Sequence, residues 1–132
     1  VMQYGAHGTT FGGNPMASAV ARVALRKLSS VAVLANVERQ AQRLRAGLLE
    51  IDNELGMFAE VRGRGLMLGA VLSKTHAGRA GDVLDHAANH GLLLLQAGPD
   101  VLRLLPPLNI SDAEVDEGLL RLRAALEVFA SA

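Results

Sequence analysis

The stretch FAEVRGRGLMLGAVL, Phe58 to Leu72, decides the fold. Its Arg62-Gly63-Arg64-Gly65 core, with Gly69 beyond, nearly imitates a dinucleotide-binding fingerprint. The match fails twice. Leu68 stands where the third glycine belongs, and the residues that follow read as a strand instead of the helix that motif requires. Apolar residues punctuated by glycines instead predict two short strands around a turn, a hairpin or bulge. The sheet is then antiparallel or mixed, not a βαβ unit.

Working outward, Val37, Ala41, Leu44, Leu48, Ile51 and Leu55 recur at spacings of four and three and draw one helical stripe. Gly56 ends it as a left-handed cap. Upstream, Asn14-Pro15 is a helix start, with Asn as N-cap and Pro at the first helical position, and that helix runs to about Ser29. Downstream, a third helix is expected over roughly Gly81 to His90, with Val83, Leu84, Ala87 and Ala88 on one face and Gly91 as terminator. LLLLQ and DVLRLL read as a strand pair joined by Ala97-Gly98-Pro99. Ser111-Asp112-Ala113-Glu114 is a capping box, opening a last helix with the stripe Val115, Leu119, Leu122, Leu126, Phe129. Helices and strands in this order predict an α+β fold, a small sheet covered by helices. One boundary is expected near Ser29-Ser30.

The 132 residues suffice for one domain with a modest core, and half of them are hydrophobic. Zero formal net charge argues against a general attraction to nucleic acid. One tyrosine, three phenylalanines and no tryptophan give no base-stacking platform. The apolar runs are too short to span a bilayer, and there is no signal-peptide pattern at the N-terminus. The absence of cysteine excludes disulfides and zinc-cysteine sites and fits a cytoplasmic protein. The opening VMQYGAHG lacks an initiating methionine and reads as mid-protein text, so a portion of something larger is expected, with processing of a precursor as the alternative.

Candidate sites are few. Gly8-Thr9-Thr10-Phe11-Gly12-Gly13 offers backbone N–H groups and hydroxyls to an anion; on spacing alone it reads first as a plain turn before an N-cap, since glycine-rich loops are common, and it is not a Walker loop. Asp82, His86 and His90 share a helix face, but eight residues of helix span roughly 12 Å, too far to share one ion; a solvated polar face is expected, and no metal. His7 and His76 have no evident partner. Arg103 interrupts the apolar VLRLLPPL. Its fork suits a carboxylate; by alternation it is also an ordinary outward-pointing strand arginine. Neither Lys27 nor Lys74 sits in a catalytic context, and no nucleophile or general base is evident.

Three segments, GAHGTTFGGNPMASAVA, FAEVRGRGLMLGAVL and VLRLLPPLNISDAEVDEGL, in this order and at these separations, resemble the C-terminal third of class III (subgroup II) pyridoxal-phosphate aminotransferases, in their acetylornithine and succinylornithine branch. The resemblance covers essentially the whole chain. It implies the small C-terminal domain of a fold-type-I enzyme, divided into a cofactor-phosphate loop at 1–13 belonging to a missing large domain, a connecting helix at 14–29 and an α+β domain at 30–132. It implies a homodimer with active sites at the subunit interface, pyridoxal 5'-phosphate as cofactor of the whole enzyme and absent from this stretch alone, and acyl-ornithine and 2-oxoglutarate as substrates. By the same resemblance Thr10 binds the cofactor phosphate of the other subunit, Thr9 contacts the acyl-ornithine, and Arg103 receives the substrate α-carboxylate. The family's Schiff-base lysine and the carboxylate that faces the pyridine nitrogen lie upstream of the threonine loop, so this stretch alone is expected to be inactive, with Val1 to Gly13 poorly ordered or displaced. Two alternatives stay open: a free-standing dimerisation domain derived from such an enzyme, and another class III member such as ornithine or 4-aminobutyrate transaminase or an aminomutase.

Overall fold

The computed structural model describes residues 8–131. His7, and the part of the expected displacement that concerns residues 1–7, lie outside the described residues. The chain divides into two units, Val1–Leu34 and Ala35–Ala132.

In the first unit, Thr10 to Gly13 form a turn in which Gly13 takes φ +75°. Asn14 is the N-cap of α1 (Pro15–Leu28): its side-chain oxygen accepts from the Ala17 N–H at 2.9 Å, and its amide donates to the Phe11 carbonyl at 2.6 Å. Two of the turn-and-helix junction's free polar groups are thereby satisfied. At the other end Arg26 and Lys27 occupy the last turn, favourable for the helix dipole, and the Ser29 hydroxyl donates to the Leu25 carbonyl. No residue of α1 is buried.

The second helix, α2 (Val31–Leu55), is longer than its apolar stripe; the Ser30 carbonyl just before it accepts from the Leu34 N–H. Within the second unit Leu44, Leu48 and Ile51 are buried, with Val37, Ala41 and Leu55 packed at the edges. Gly56 takes φ +63° and donates to the Asp52 carbonyl at 2.7 Å, while the Asp52 carboxylate accepts from the Phe58 N–H at 2.6 Å. Helix exit and strand entry are thus tied by one side chain.

The hairpin follows as expected: β1 (Phe58–Arg64) and β2 (Met67–Leu72) are antiparallel, with an irregularity between Phe58 and Glu60. A short 3-10 turn, Lys74–His76, leads to α3 (Ala80–Asn89), which stops at Gly91 with φ +74°. Here Ala80, Val83 and Ala87 are buried; Ala88, expected on the same face, is exposed. The strand pair is β3 (Leu95–Gln96) and β4 (Val101–Leu104), and β3 is much shorter than LLLLQ suggests. The last helix, α4 (Asp112–Ala130), opens on the capping box: the Ser111 hydroxyl accepts from the Glu114 N–H, and the Glu114 carboxylate accepts from the Ser111 N–H at 2.8 Å.

The four strands form one antiparallel sheet in the order β1-β2-β4-β3. Side chains alternate across it. Leu68, Ala70, Leu72 and Leu102 face inward onto Leu48, Ile51, Val83, Val115, Leu122, Leu126 and Phe129 from the helices. Each fully buried leucine or phenylalanine contributes about 1.5–3 kcal/mol. The opposite face, with Met67, Gly69, Val71, Val101 and Arg103, is the open one within this unit, since α2, α3 and α4 bury their apolar residues in the core on the other side. At the edge of β1, Arg45 of α2 donates to the carbonyls of Val61 and Gly63, at 2.6 and 3.2 Å, which satisfies acceptors that an edge strand otherwise leaves open.

Candidate functional site

The threonine loop is positioned by the start of α1. Asn14 holds the turn through the Phe11 carbonyl, and the Gly12 N–H donates to the Thr9 carbonyl at 3.4 Å. A side chain at Gly12 would collide with the Thr9 side chain, so the small residue lets Thr9 fold over its own turn. Thr9 and Thr10 are both exposed. Among the described residues neither hydroxyl makes a hydrogen bond. Two hydroxyls beside glycine backbone and a helix start are a donor set that suits a phosphate monoester, which is the group the resemblance puts there.

Arg103 lies in the second unit, on β4. Its neighbours Leu102 and Leu104 face the core, Leu102 fully buried, and period-two alternation turns Arg103 to the open face, where it is exposed. Within this unit its place is the outward-pointing one that alternation predicts. Among the described residues no ion pair or hydrogen bond engages its guanidinium. Strand register sets its surroundings. Arg62 pairs with Gly69, Gly69 with Arg103, and Arg103 with Leu95, so these four form one cross-strand row. Arg62 was legible only as part of the failed fingerprint; its place beside Arg103 depends on pairing between strands far apart in sequence.

A cavity of about 190 Å³ opens beside the unpaired leucines that precede β3. Leucines dominate its lining, among them Leu44, Leu92, Leu94, Leu104 and Leu122, and Arg103 and Glu114 are its only ionisable residues. Glu114 is committed to the capping box, where the Ser111 N–H and then the Ser111 hydroxyl hold its carboxyl below the usual range.

The other polar candidates are structural. Asp82 pairs with Arg79 at 3.0 Å. His76 and His86 pack against the buried Phe129 ring at 5.4 and 5.8 Å, and the Arg79 guanidinium lies 4.3 Å from its centre. His90 bonds the His86 carbonyl. Among the described residues no group of three or more His, Asp or Glu could hold a metal ion. The solvated face expected for Asp82, His86 and His90 holds for the exposed Asp82 only; His86 and His90 are half-buried, because α4 brings Phe129 against His86. A second network joins α2 to α4. Gln40, fully buried, donates to Asp112 at 2.5 Å; Arg39 also faces Asp112, and Arg43 grips Asp116 through two contacts of 2.6 Å. Nothing in the local sequence announced it.

Comparison with known proteins places these features in context. Residues 1–126 match the family model described as Aminotransferase class-III. The chain is 66% identical over 128 residues, 97% of its length, to the acetylornithine aminotransferase of Xanthomonas campestris pv. campestris, of which it covers 31%. It is 45% identical over 126 residues, 96% of its length, to the succinylornithine transaminase of Yersinia enterocolitica, of which it covers 30%. The crystal structure of N-acetylornithine aminotransferase from Stenotrophomonas maltophilia K279a superposes with a TM-score of 0.86 at 67% identity, covering 91% of this chain and 33% of that one. The chain therefore spans about a third of the length of the proteins it matches.

Proposed function

The chain belongs to the class-III aminotransferase family, and from that premise we propose that it is the C-terminal portion of a pyridoxal-phosphate-dependent enzyme that moves an amino group from N-acetylornithine, or succinylornithine, to 2-oxoglutarate. The observation that carries this reading is the two-thirds identity to acetylornithine aminotransferase along nearly the whole chain.

In this reading residues 1–13 are the cofactor-phosphate loop, 14–29 the connecting helix and 30–132 the C-terminal α+β domain of a cytoplasmic homodimer. Bound pyridoxal phosphate supplies the aldehyde that takes up the amino group and the ring that delocalises the resulting carbanion charge. The residues of this chain bind and orient. The Thr10 hydroxyl donates to the cofactor phosphate held by the other subunit; its exposure and lack of a partner among the described residues support that role. Thr9 contacts the acyl-ornithine. Arg103 receives the substrate α-carboxylate through its planar fork, supported by its free presentation on the open sheet face. Lys27 and Lys74 take no part.

Two measurements on the full-length enzyme test this. Acylated ornithine should be strongly preferred over free ornithine; equal rates would reject the proposed substrate class. Arg103→Lys keeps the charge and loses the fork, so the Michaelis constants should rise about ten-fold or more, the loss of one charge-assisted bidentate contact. Unchanged constants for both substrates would reject the clamp.

A further inference from the structure

The chain leaves β4 through a segment with few handles. Leu105 precedes Pro106, which biases it toward extended backbone, and Pro106 and Pro107 fix their own φ and have no N–H to donate. Beyond them the Ile110 N–H donates to the Pro107 carbonyl at 3.0 Å, one turn before the Ser111 cap of α4. What the segment does offer is carbonyl oxygens, and one side chain takes two of them. The half-buried Asn36, near the start of α2, donates its amide to the Leu108 carbonyl at 2.9 Å and to the Ile110 carbonyl at 3.1 Å.

The orientation of that amide is decided by a third partner. Its oxygen accepts from the Arg39 guanidinium at 2.6 Å. An amide has one accepting end and one donating end, so the Arg39 contact turns the N–H groups to the two carbonyls. Gln40, buried on the same helix, donates to Asp112 at 2.5 Å and ties down the far end of the segment.

This segment begins at the strand end that carries Arg103. Arg103 is the last residue but one of β4, and on the β3 side only Leu95 and Gln96 pair with the strand. Support on that side is therefore short. The backbone from Arg103 to Leu108 can reach at most about 17 Å when extended, and the two prolines leave it little slack. A shift at the Leu108 and Ile110 carbonyls is thus passed to the end of β4. Asn36 acts on the backbone that carries Arg103, not on its guanidinium.

We infer that Asn36 is a positioning residue for Arg103: it pins the exit of β4 to α2 and so holds the guanidinium at the angle at which it receives the substrate α-carboxylate. The inference rests on the carboxylate-clamp reading of Arg103 and adds a residue to it.

The test uses the full-length enzyme with Asn36→Ala, Asn36→Ser, Arg43→Gln, Arg103→Lys and the double variant Asn36→Ala/Arg103→Lys. Acetylornithine and 2-oxoglutarate both carry an α-carboxylate. Asn36→Ala should therefore raise both Michaelis constants about five-fold or more through a misaimed fork, with cofactor retention on dialysis unchanged. Asn36→Ser keeps one donor and should fall between, and it carries the test should the alanine variant fold poorly. Arg43→Gln breaks the exposed contact from α2 to Asp116 and leaves the Leu108 and Ile110 carbonyls held. Its Michaelis constants should stay within about two-fold. The double variant decides the route: once the fork is gone, Asn36→Ala should add less than about two-fold. Full additivity in the double variant, equal rises in Arg43→Gln and Asn36→Ala, a matching loss of cofactor, or unchanged constants in Asn36→Ala would overturn the inference and leave the clamp standing. Unchanged constants in Arg103→Lys would overturn the clamp itself, and this inference with it.

Discussion

Replacing Gly63 with alanine tests the hairpin at its tightest point. Gly63 takes φ +133° opposite Leu68, a conformation open to glycine and costly for any other residue. A Cβ there would collide with the Met67 carbonyl oxygen and come within 2.9 Å of the Leu68 Cα. Both are backbone atoms of the paired strand, so no side-chain rotation relieves the contact. The unfavourable φ costs about 1–3 kcal/mol, and moving the partner strand costs about 1–3 kcal/mol more. Alanine's smaller unfolded-state entropy offsets about 0.4–1 kcal/mol. The net loss is roughly 2–4 kcal/mol, against a typical total of about 5–15 kcal/mol. With a urea dependence of about 1–3 kcal/mol per molar, the midpoint should fall by about 1 M or more. The control is Gly118→Ala in α4, where no atom lies within 4 Å of the new methyl group and φ is ordinary; it should gain about 0.5–1 kcal/mol from helix propensity alone. Urea unfolding followed by helical circular dichroism reads both. A Gly63→Ala midpoint equal to the parent's, beside a stabilised Gly118→Ala, would mean that the hairpin is not built as described.

The α2–α4 network should fail in acid. The Asp112 carboxyl is held below its ordinary range chiefly by the Gln40 amide, then by Arg39 and Arg43, and Asp116 chiefly by its hydrogen bonds from Arg43. A carboxyl whose pKa is lower folded than unfolded contributes fully above its unfolded value, about 3.9, and loses that contribution as pH falls through the folded value. The urea midpoint should therefore drop below about pH 4, and D112N/D116N should flatten the slope; identical slopes would reject the network. Ser111→Ala removes the hydroxyl that accepts from the Glu114 N–H and should cost about 1 kcal/mol by urea unfolding; no loss would leave the cap without energetic weight. Thr10→Val in the full-length enzyme keeps the shape and removes the donor. Cofactor retention on dialysis, followed by absorbance, should weaken about five- to ten-fold, and full retention would remove Thr10 from the phosphate site.

Much of this architecture was legible because its signals are local. Asn14, Gly56, Gly91 and the Ser111–Glu114 box each act within a few residues of themselves, and each appears where the sequence puts it. The α2 stripe and the hairpin are set by periods of 3.6 and 2. What was not legible depends on distant partners. LLLLQ looks the same whether it pairs or not, and only Leu95 and Gln96 find β4. Gln40 reads as a surface glutamine until Asp112, 72 positions away, supplies its partner. His76 and His86 are ordinary loop and helix histidines until α4 brings Phe129 against them. The roles of Thr9 and Thr10 were not readable from spacing at all, since a glycine-rich turn before an N-cap satisfies the same pattern.

Arg103 shows how two readings that look opposed describe one residue at different levels of assembly. Alternation predicts that it points away from the core, and it does. Yet a one-sided antiparallel sheet normally turns polar side chains to water, and this face does not. Met67, Leu95 and Leu105 are each more than half exposed there or at its edge, and Val71 and Val101 lie in the row beside Arg103. Apolar positions on both faces suit a sheet covered on both. Were the rest of the enzyme to cover this face, the guanidinium in the middle of it would become the desolvated charge that an apolar run such as VLRLL implies. Its partner would then be the substrate carboxylate proposed for it above. A charge left without a permanent partner is costly in stability, and that cost is reasonable only where ligand binding is what relieves it.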